Sequence, residues 1–162
     1  MAGMNASGSA VGRLLKERGQ TLAVAESSAG GLINAALVAV PGASAWYLGG
    51  CIVYTAASRA ALLGITREEM AGARPSTEAF AMLLARRTRE RLGATWGLSE
   101  TGATGPGGNH YGDPPGHACF AVSGPVEAAI SLETGSADRE ANMRTFARRA
   151  IELFESCLRK TR

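Results

Sequence analysis

Short apolar segments of strand length alternate along this chain with longer segments in which apolar residues recur at helical spacing. This alternation is typical of a sheet covered by helices on both faces, because that arrangement buries both kinds of segment. Residues 117–122 and 128–132 are joined by the turn sequence Ser123-Gly124-Pro125, which predicts an antiparallel hairpin. We therefore predict an α/β fold, a three-layer α/β/α sandwich around a mixed, mostly parallel sheet of about five strands.

Local signals divide the chain into elements in the order α-β-α-β-α-α-β-β-β-α. Ser9 is expected to cap the first helix, which Gly19 ends, and residues 1–8 are expected to be disordered. No linker, repeat or composition shift interrupts the rest, so residues 9–162 are predicted to form a single domain. The other strands are expected at residues 21–25, 51–54 and 96–101, and the other helices at 32–40, 55–63, 76–92 and after a cap on Asp138.

Positive charge lies mostly in helical segments that also carry acidic residues. The chain has a formal net charge of +3, and its arginines cluster at residues 86–91 and 148–162. This pattern favours solvated helix faces, because neither aromatic residues nor a known motif accompany the arginines as in nucleic-acid binding sites. We therefore expect no nucleic-acid partner.

The cysteines and the apolar segments argue against a secreted or membrane protein. Cys51, Cys119 and Cys157 are far apart and show no metal-ligand spacing, which predicts a reduced, cytoplasmic protein without a metal site. No apolar run is long enough to span a membrane, and the N-terminus lacks the pattern of a signal peptide. We therefore expect no membrane partner.

The first of two glycine-rich stretches is AESSAGG, residues 25–31, which lies between a predicted strand and a predicted helix. Ligands of open α/β sheets bind beyond the carboxyl ends of the strands, where N–H groups at a helix N-terminus hold an anion or an oxyanion. Gly30 and Gly31 lack side chains, so a ligand can approach the backbone. The alternative is that Ser27 or Ser28 only caps the helix.

The second stretch is TGATGPGG, residues 101–108, which also follows a strand and is expected at the same edge of the sheet. Its glycines permit positive φ and expose N–H groups as an anion-binding nest. The loop continues to Gly116, and long loops in compact domains are usually functional or mobile. The alternative is a surface loop without a function. Two such loops at one edge predict a ligand site.

In these stretches the sequence resembles the CinA C-terminal domain family, whose members deamidate nicotinamide mononucleotide to nicotinate mononucleotide and ammonia without a metal. The family's loops read AESCTGG and TGIAGPGG, where this chain has AESSAGG and TGATGPGG. A third family segment ends in Tyr-Ser-Asn, and PGASAWYLGGCIVYTAA, residues 41–57, takes its place. The similarity covers nearly the whole chain in order and spacing.

The resemblance implies a three-layer fold, a homo-oligomer, a small mononucleotide as the ligand and no cofactor. It also implies that Ser27 is the catalytic nucleophile and that Tyr54 acts with it, while Arg59 stands where the family has a lysine. The residues expected to bind the substrate are Glu26, Ser28, Gly30, Gly31, Thr101, Gly102, Thr104, Gly105 and Arg144.

Arg59 is the departure from the family that most affects the chemistry. A serine needs a base to become a nucleophile, and arginine stays protonated. Three roles remain open for Arg59. It can stabilise a Tyr54 phenolate that acts as the base, it can bind the substrate phosphate, or it can be a solvated helix residue.

Arg144 is one residue away from a family arginine, so phosphate binding and a helix-surface position are both open. His110 and His117 are expected to face solvent, although His117 replaces a family threonine and a pocket role is its alternative.

Three hypotheses about function follow. In the first, the chain is a metal-independent amidohydrolase: Ser27 attacks the carboxamide, N–H groups of the first loop hold the oxyanion, and residues 101–108 hold ribose and phosphate. In the second, it is a degenerate family member that binds a nucleotide without turnover, which the loss of polar groups at Ala29, Ala56 and Ala57 favours. In the third, it is an oligomeric scaffold whose loops are structural.

Overall fold

Five strands form one mixed sheet in the computed structural model, which describes residues 2–161, with side chains from Ala6 onwards. Their order across the sheet is β2-β1-β3-β4-β5, in which β1 is parallel to both of its neighbours and β4 is antiparallel to both of its own. Four of these strands therefore point one way and β4 points the other. The strands are β1 (Leu22–Glu26), β2 (Tyr47–Ile52), β3 (Trp96–Ala103), β4 (His117–Ser123) and β5 (Ala128–Glu133).

Helices cover both faces of the sheet, which confirms the predicted three-layer sandwich. The helices are α1 (Ala2–Arg18), α2 (Leu32–Val38), α3 (Ala56–Leu63), α4 (Glu78–Leu92) and α5 (Arg139–Lys160), with a short 3₁₀ helix at Ala43–Ala45. Helices α1, α2 and α5 pack together over one face, and α4, with α3 against it, packs on the other. No helix in the described part of the chain is both long and apolar enough to cross a membrane.

Helix ends follow the local signals in the sequence. The side chains of Thr55, Thr77 and Asp138 each accept a hydrogen bond from a backbone N–H in the first turn of α3, α4 and α5. Gly64 and Gly93 end α3 and α4 with φ of 59° and 62°, a conformation that glycine adopts without strain. These caps therefore fix the bounds of the loops that join the helices to the strands.

The larger core lies between the sheet and helices α1, α2 and α5. Trp96 packs edge-on against Phe154 with ring centroids 5.6 Å apart, and Phe120 packs in the same way against Phe146 at 6.2 Å. All four rings are fully buried. This core holds β3 and β4 rigidly under the loop that connects them.

Two predicted boundaries are wrong. Helix α1 begins at Ala2 and not at Ser9, which is exposed inside the helix, while Met1 lies outside the described residues. Ala2, Met4 and Ala6 are good helix formers and no proline interrupts this segment, so the two glycines in it do not end the helix. Strand β2 begins at Tyr47 and ends at Ile52, so Tyr54 lies in the following loop. As an edge strand with alternating burial and two glycines, β2 has a weak apolar signal in its first half.

Candidate functional site

The carboxyl ends of β1, β2 and β3 meet at one edge of the sheet, where they border a cleft of about 510 Å³. We call it the serine cleft. It has the size of a small-molecule site. The expected site residues that line it are Ser27, Tyr54, Arg59, Thr101 and Gly102.

A second depression of about 330 Å³, here the glycine-loop cleft, adjoins the serine cleft. The two share Tyr54, Gly102 and Asn109, so they form one continuous surface. The expected site residues that line the glycine-loop cleft are Ser28, Tyr54, Gly102, Thr104 and Gly105.

Ser27 and Ser28 follow β1 directly but have different surroundings. Ser27 is partly exposed, and its hydroxyl makes no hydrogen bond within residues 2–161. Ser28 is only 6% exposed and donates its hydroxyl hydrogen bond to the carboxylate of Glu100. Ser27 therefore has the hydroxyl that is available to a ligand.

Glu100 is one of two residues at this site that the sequence does not predict, the other being Arg139. It is fully buried in β3, and its carboxylate accepts hydrogen bonds from the backbone N–H of Ser27 at 3.0 Å and of Ala29 at 2.9 Å. Burial raises the pKa of Glu100 to about 7, although these hydrogen bonds and that of Ser28 oppose the shift. The signal in the sequence was a carboxylate inside an otherwise uncharged strand.

Glu26 has an internal role in place of the ligand contact that we expected. It is fully buried, and its carboxylate accepts hydrogen bonds from the N–H groups of Gly31, Ile33 and Asn34 at the start of α2. Burial raises the pKa of Glu26, and these hydrogen bonds oppose the change. Glu26 therefore anchors helix α2 to the end of β1.

These contacts change the expected oxyanion site. The N–H groups of Ser27 and Ala29 donate to Glu100, that of Gly31 donates to Glu26, and that of Gly30 donates to the Ser27 carbonyl. These four donors are therefore occupied. Among residues 27–31, only the Ser28 N–H donates neither to a side chain nor across the turn.

Gly30 and Gly31 shape the entry into α2 and line neither cleft. Their φ angles are 67° and 101°, in the left-handed region that favours glycine. A Cβ atom on Gly30 would lie 3.0 Å from Met143, and one on Gly31 would lie 3.1 Å from Ile52. Both glycines are thus needed by the turn itself, and the expected approach of a ligand to their backbone stays a prediction.

The second loop offers the free donors that the first loop lacks. Within residues 2–161 the backbone N–H groups of Gly105, Gly107 and Gly108 donate no hydrogen bond. The guanidinium of Arg139, at the start of α5, donates to the Gly105 carbonyl and, at 3.0 Å, to the Tyr54 hydroxyl. Backbone donors beside a guanidinium form a site that suits a phosphate.

The arginine in this cleft is Arg139, and Arg144 lies elsewhere. Arg144 is 61% exposed, pairs with Glu140 on the surface of α5 and lines neither cleft. The structure therefore places Arg144 on the helix surface, the alternative that the sequence left open. Arg139 was within reach of sequence reasoning, because Asp138-Arg139 matches an Asp-Arg pair of the family.

Tyr54 and Arg59 approach the serine cleft from the β2 side. Tyr54 is 58% exposed and lies in the loop between β2 and α3. The guanidinium of Arg59, in α3, lies over the Phe80 ring with its carbon 5.4 Å from the ring centroid. This contact holds the Arg59 charge against the wall of the cleft.

Thr101 is tied to a strained residue beside the cleft. Its hydroxyl accepts a hydrogen bond from the Ser76 N–H at 3.1 Å, and Ser76 has a φ of 62°, unusual for a residue other than glycine. The Ser76 carbonyl accepts a hydrogen bond from Nε2 of His117 at 2.8 Å. Ser76 also lines the serine cleft, so this strain lies at the site.

His117 does not face solvent, contrary to our expectation, whereas His110 is exposed as expected. The His117 side chain is 12% exposed and contacts Glu133 and the Ser76 carbonyl. Burial lowers the pKa of His117, but these hydrogen bonds outweigh burial, so the pKa is raised. Within the described residues, no cluster of three His, Cys, Asp or Glu side chains has the arrangement of a metal site.

Comparison with known proteins agrees with this architecture. A CinA-like protein of Synechococcus elongatus is 41% identical over 118 residues, which cover 73% of this chain and 28% of the relative. A CinA-like protein of Prochlorococcus marinus is 43% identical over 112 residues, 69% of this chain and 26% of the relative. The chain thus spans less than a third of the length of these relatives.

Solved structures show the same fold. A competence-damaged protein (CinA) superfamily protein from Klebsiella pneumoniae has a TM-score of 0.90 at 25% identity, covering 98% of this chain and 99% of that one. The family model described as the CinA C-terminal domain matches residues 5–158. This match extends from α1 to α5, so the chain belongs to the CinA C-terminal domain family.

Proposed function

We propose that the chain is a metal-independent amidohydrolase that converts nicotinamide mononucleotide to nicotinate mononucleotide and ammonia, with Ser27 as the nucleophile. The observation that carries the proposal is the free Ser27 hydroxyl in one cleft with Tyr54 and Arg59. Immediately beside it lies a loop with free N–H donors and an arginine. A hydroxyl next to an anion site matches a substrate that carries both an amide and a phosphate.

The substrate phosphate is assigned to the glycine-loop cleft. The N–H groups of Gly105, Gly107 and Gly108 supply donors, and Arg139 supplies a charge that is fixed by its two hydrogen bonds. The pyridine carboxamide then occupies the serine cleft. Because the two clefts share Tyr54 and Gly102, a mononucleotide can reach across both.

In the proposed reaction, the Ser27 oxygen attacks the carboxamide carbon and the C–N bond breaks, releasing ammonia from an acyl-enzyme that water then hydrolyses. Tyr54, acting in its phenolate form, accepts the Ser27 proton and passes it to the leaving nitrogen, because Arg59 stays protonated and cannot act as the base. Arg139 donates to the Tyr54 oxygen and offsets its charge. The Ser28 N–H is the donor that we assign to the oxyanion.

A second candidate function is nucleotide binding without turnover. Arg59 favours it, since a guanidinium stands where the family has a lysine and lies against the Phe80 ring. In that case the clefts retain their shape and donors, while the serine lacks a base. Both candidates require the phosphate site, and they differ only in the proton transfer.

The test is release of ammonia from nicotinamide mononucleotide by the wild type and by Ser27→Ala, Ser28→Ala and Arg59→Lys. We expect Ser27→Ala to abolish release, while Ser28→Ala retains it because that hydroxyl is committed to Glu100. Equal activity of Ser27→Ala and wild type would refute the nucleophile assignment. An inactive wild type with an active Arg59→Lys variant would establish the second candidate, as would wild type that is inactive but thermally stabilised by the mononucleotide.

A further inference from the structure

A third depression of about 470 Å³ adjoins the serine cleft on the side away from the glycine-loop cleft. We call it the arginine cleft. It shares Ala56, Arg59, Pro75 and Tyr111 with the serine cleft, and none of its lining residues with the glycine-loop cleft. The three clefts therefore follow one another in a row, with the Ser27 hydroxyl in the middle one.

The charge of the arginine cleft is positive and only partly neutralised. Three guanidiniums line it, those of Arg59, Arg67 and Arg74, and no carboxylate does. Arg74 is neutralised by two hydrogen bonds to Asp113 at 2.8 and 3.1 Å, and this pairing lowers the pKa of Asp113 to about 2. Arg59 and Arg67 form no ion pair within residues 2–161. Two positive charges thus remain free for a ligand.

The remaining wall is largely apolar. Ile65, Met70 and Pro75 line it, and the Tyr111 ring lies at the boundary with the serine cleft. The Arg74 guanidinium lies 5.1 Å from the centroid of that ring and helps to hold it in place. Such a wall accepts a short carbon chain that ends in an anionic group.

This row of clefts constrains which part of an amide reaches the arginines. In the proposed function the substrate phosphate lies in the glycine-loop cleft and the carbonyl carbon lies at Ser27. The acyl half of the substrate, which carries the ribose and phosphate, then fills the glycine-loop cleft and the serine cleft. The group on the amide nitrogen is then the part that points onward. In nicotinamide mononucleotide that nitrogen carries only hydrogen, which leaves the arginine cleft without a partner.

We propose that the arginine cleft binds an anionic group on the amine half of the substrate, so that the preferred substrates are amides N-substituted with a carboxylate-bearing chain. This inference rests on the proposed function for the placement of the carbonyl. Hydrolysis breaks the same C–N bond, the acyl group is transferred to Ser27 and then to water, and the amine leaves with the proton taken from Ser27. The products are nicotinate mononucleotide and an amino acid in place of ammonia.

The experiment compares two synthetic amides of nicotinate mononucleotide that differ only in charge, the N-carboxymethyl amide and its neutral N-carbamoylmethyl counterpart. We measure kcat/KM by release of the amine, and Kd by calorimetry. Charge-assisted hydrogen bonds to one arginine predict a preference of about tenfold for the carboxylate. Arg67→Gln should remove this preference while leaving nicotinamide mononucleotide unaffected, and Arg148→Gln, an exposed arginine on α5, is the matched control.

Each outcome decides the proposal. Equal use of the two amides, or a preference that survives Arg67→Gln, overturns it while leaving the proposed function intact. A loss of nicotinamide mononucleotide binding in Arg67→Gln also overturns it, because the arginines would then hold the mononucleotide phosphate. If nicotinamide mononucleotide is hydrolysed but neither N-substituted amide is, the proposal is overturned and the proposed function stands. If none of the three is hydrolysed but Kd still favours the carboxylate in an Arg67-dependent way, the arginine cleft is supported as an anion site and the proposed function fails.

Discussion

Replacing Glu100 with glutamine is expected to remove a pH dependence of folding stability that the wild type shows. The wild-type carboxyl has its pKa raised from 4.5 to about 7 by burial. The native state therefore holds a proton that the unfolded state releases between these values. The contribution of Glu100 to stability is thus fully present below about pH 4.5 and is lost as the pH rises through about 7.

The magnitude follows from the same shift. Each pKa unit corresponds to about 1.4 kcal/mol, so ionising Glu100 in the native state costs roughly 3 kcal/mol by pH 8. Glutamine avoids this cost and keeps an oxygen that accepts from the Ser27 and Ala29 N–H groups, while its amide nitrogen donates to the Ser28 oxygen. The variant should therefore gain stability relative to the wild type as the pH rises.

Urea denaturation of both proteins from pH 4.5 to pH 8.5 measures this difference. Subtracting the two free energies of unfolding at each pH cancels the groups that the proteins share. Glu17→Gln, on the exposed face of α1, controls for removal of a surface carboxylate. If the curves for the wild type and Glu100→Gln run parallel across this range, burial does not govern the ionisation of Glu100 and the reasoning is wrong.

Two further variants test the site and the sheet. Arg139→Lys loses the planar guanidinium that donates to both the Gly105 carbonyl and the Tyr54 hydroxyl. The dissociation constant for inorganic phosphate, measured by calorimetry, should therefore rise about tenfold. An unchanged constant would show that phosphate binds elsewhere. Gly97→Ala puts a Cβ atom 2.0 Å from the Ala85 carbonyl oxygen and should destabilise the fold by roughly 3 kcal/mol in thermal unfolding. Gly107→Ala meets nothing within 4 Å and is its control; equal effects of the two would contradict the packing argument.

Most of the fold could be predicted from the sequence because the signals that set it are local. Helical periodicity located α4 and α5, and Thr55 and Asp138 marked helix starts through hydrogen bonds that span three residues. The start of β2 could not be predicted in this way, since a half-exposed edge strand is defined mainly by its pairing with β1.

The clefts were predicted less completely, because their contacts depend on strand register. Ala25 pairs with Ser99 across parallel strands, and this places Glu100 beside the turn after β1. No spacing in the sequence shows that two buried carboxylates, Glu26 and Glu100, occupy most N–H donors of the first loop. The positions of Ser27, Tyr54 and Arg59 in one cleft agree with the family resemblance, while their chemical roles stay predictions.

The reversed direction of β4 has a consequence for how this architecture can diversify. An antiparallel neighbour needs no crossover, so residues 104–116 connect β3 to β4 at a single end of the sheet. Residues 104–116, which border the two clefts, can therefore change in length and sequence without a change in any helix. New substrate preferences can arise there while the aromatic core stays unchanged.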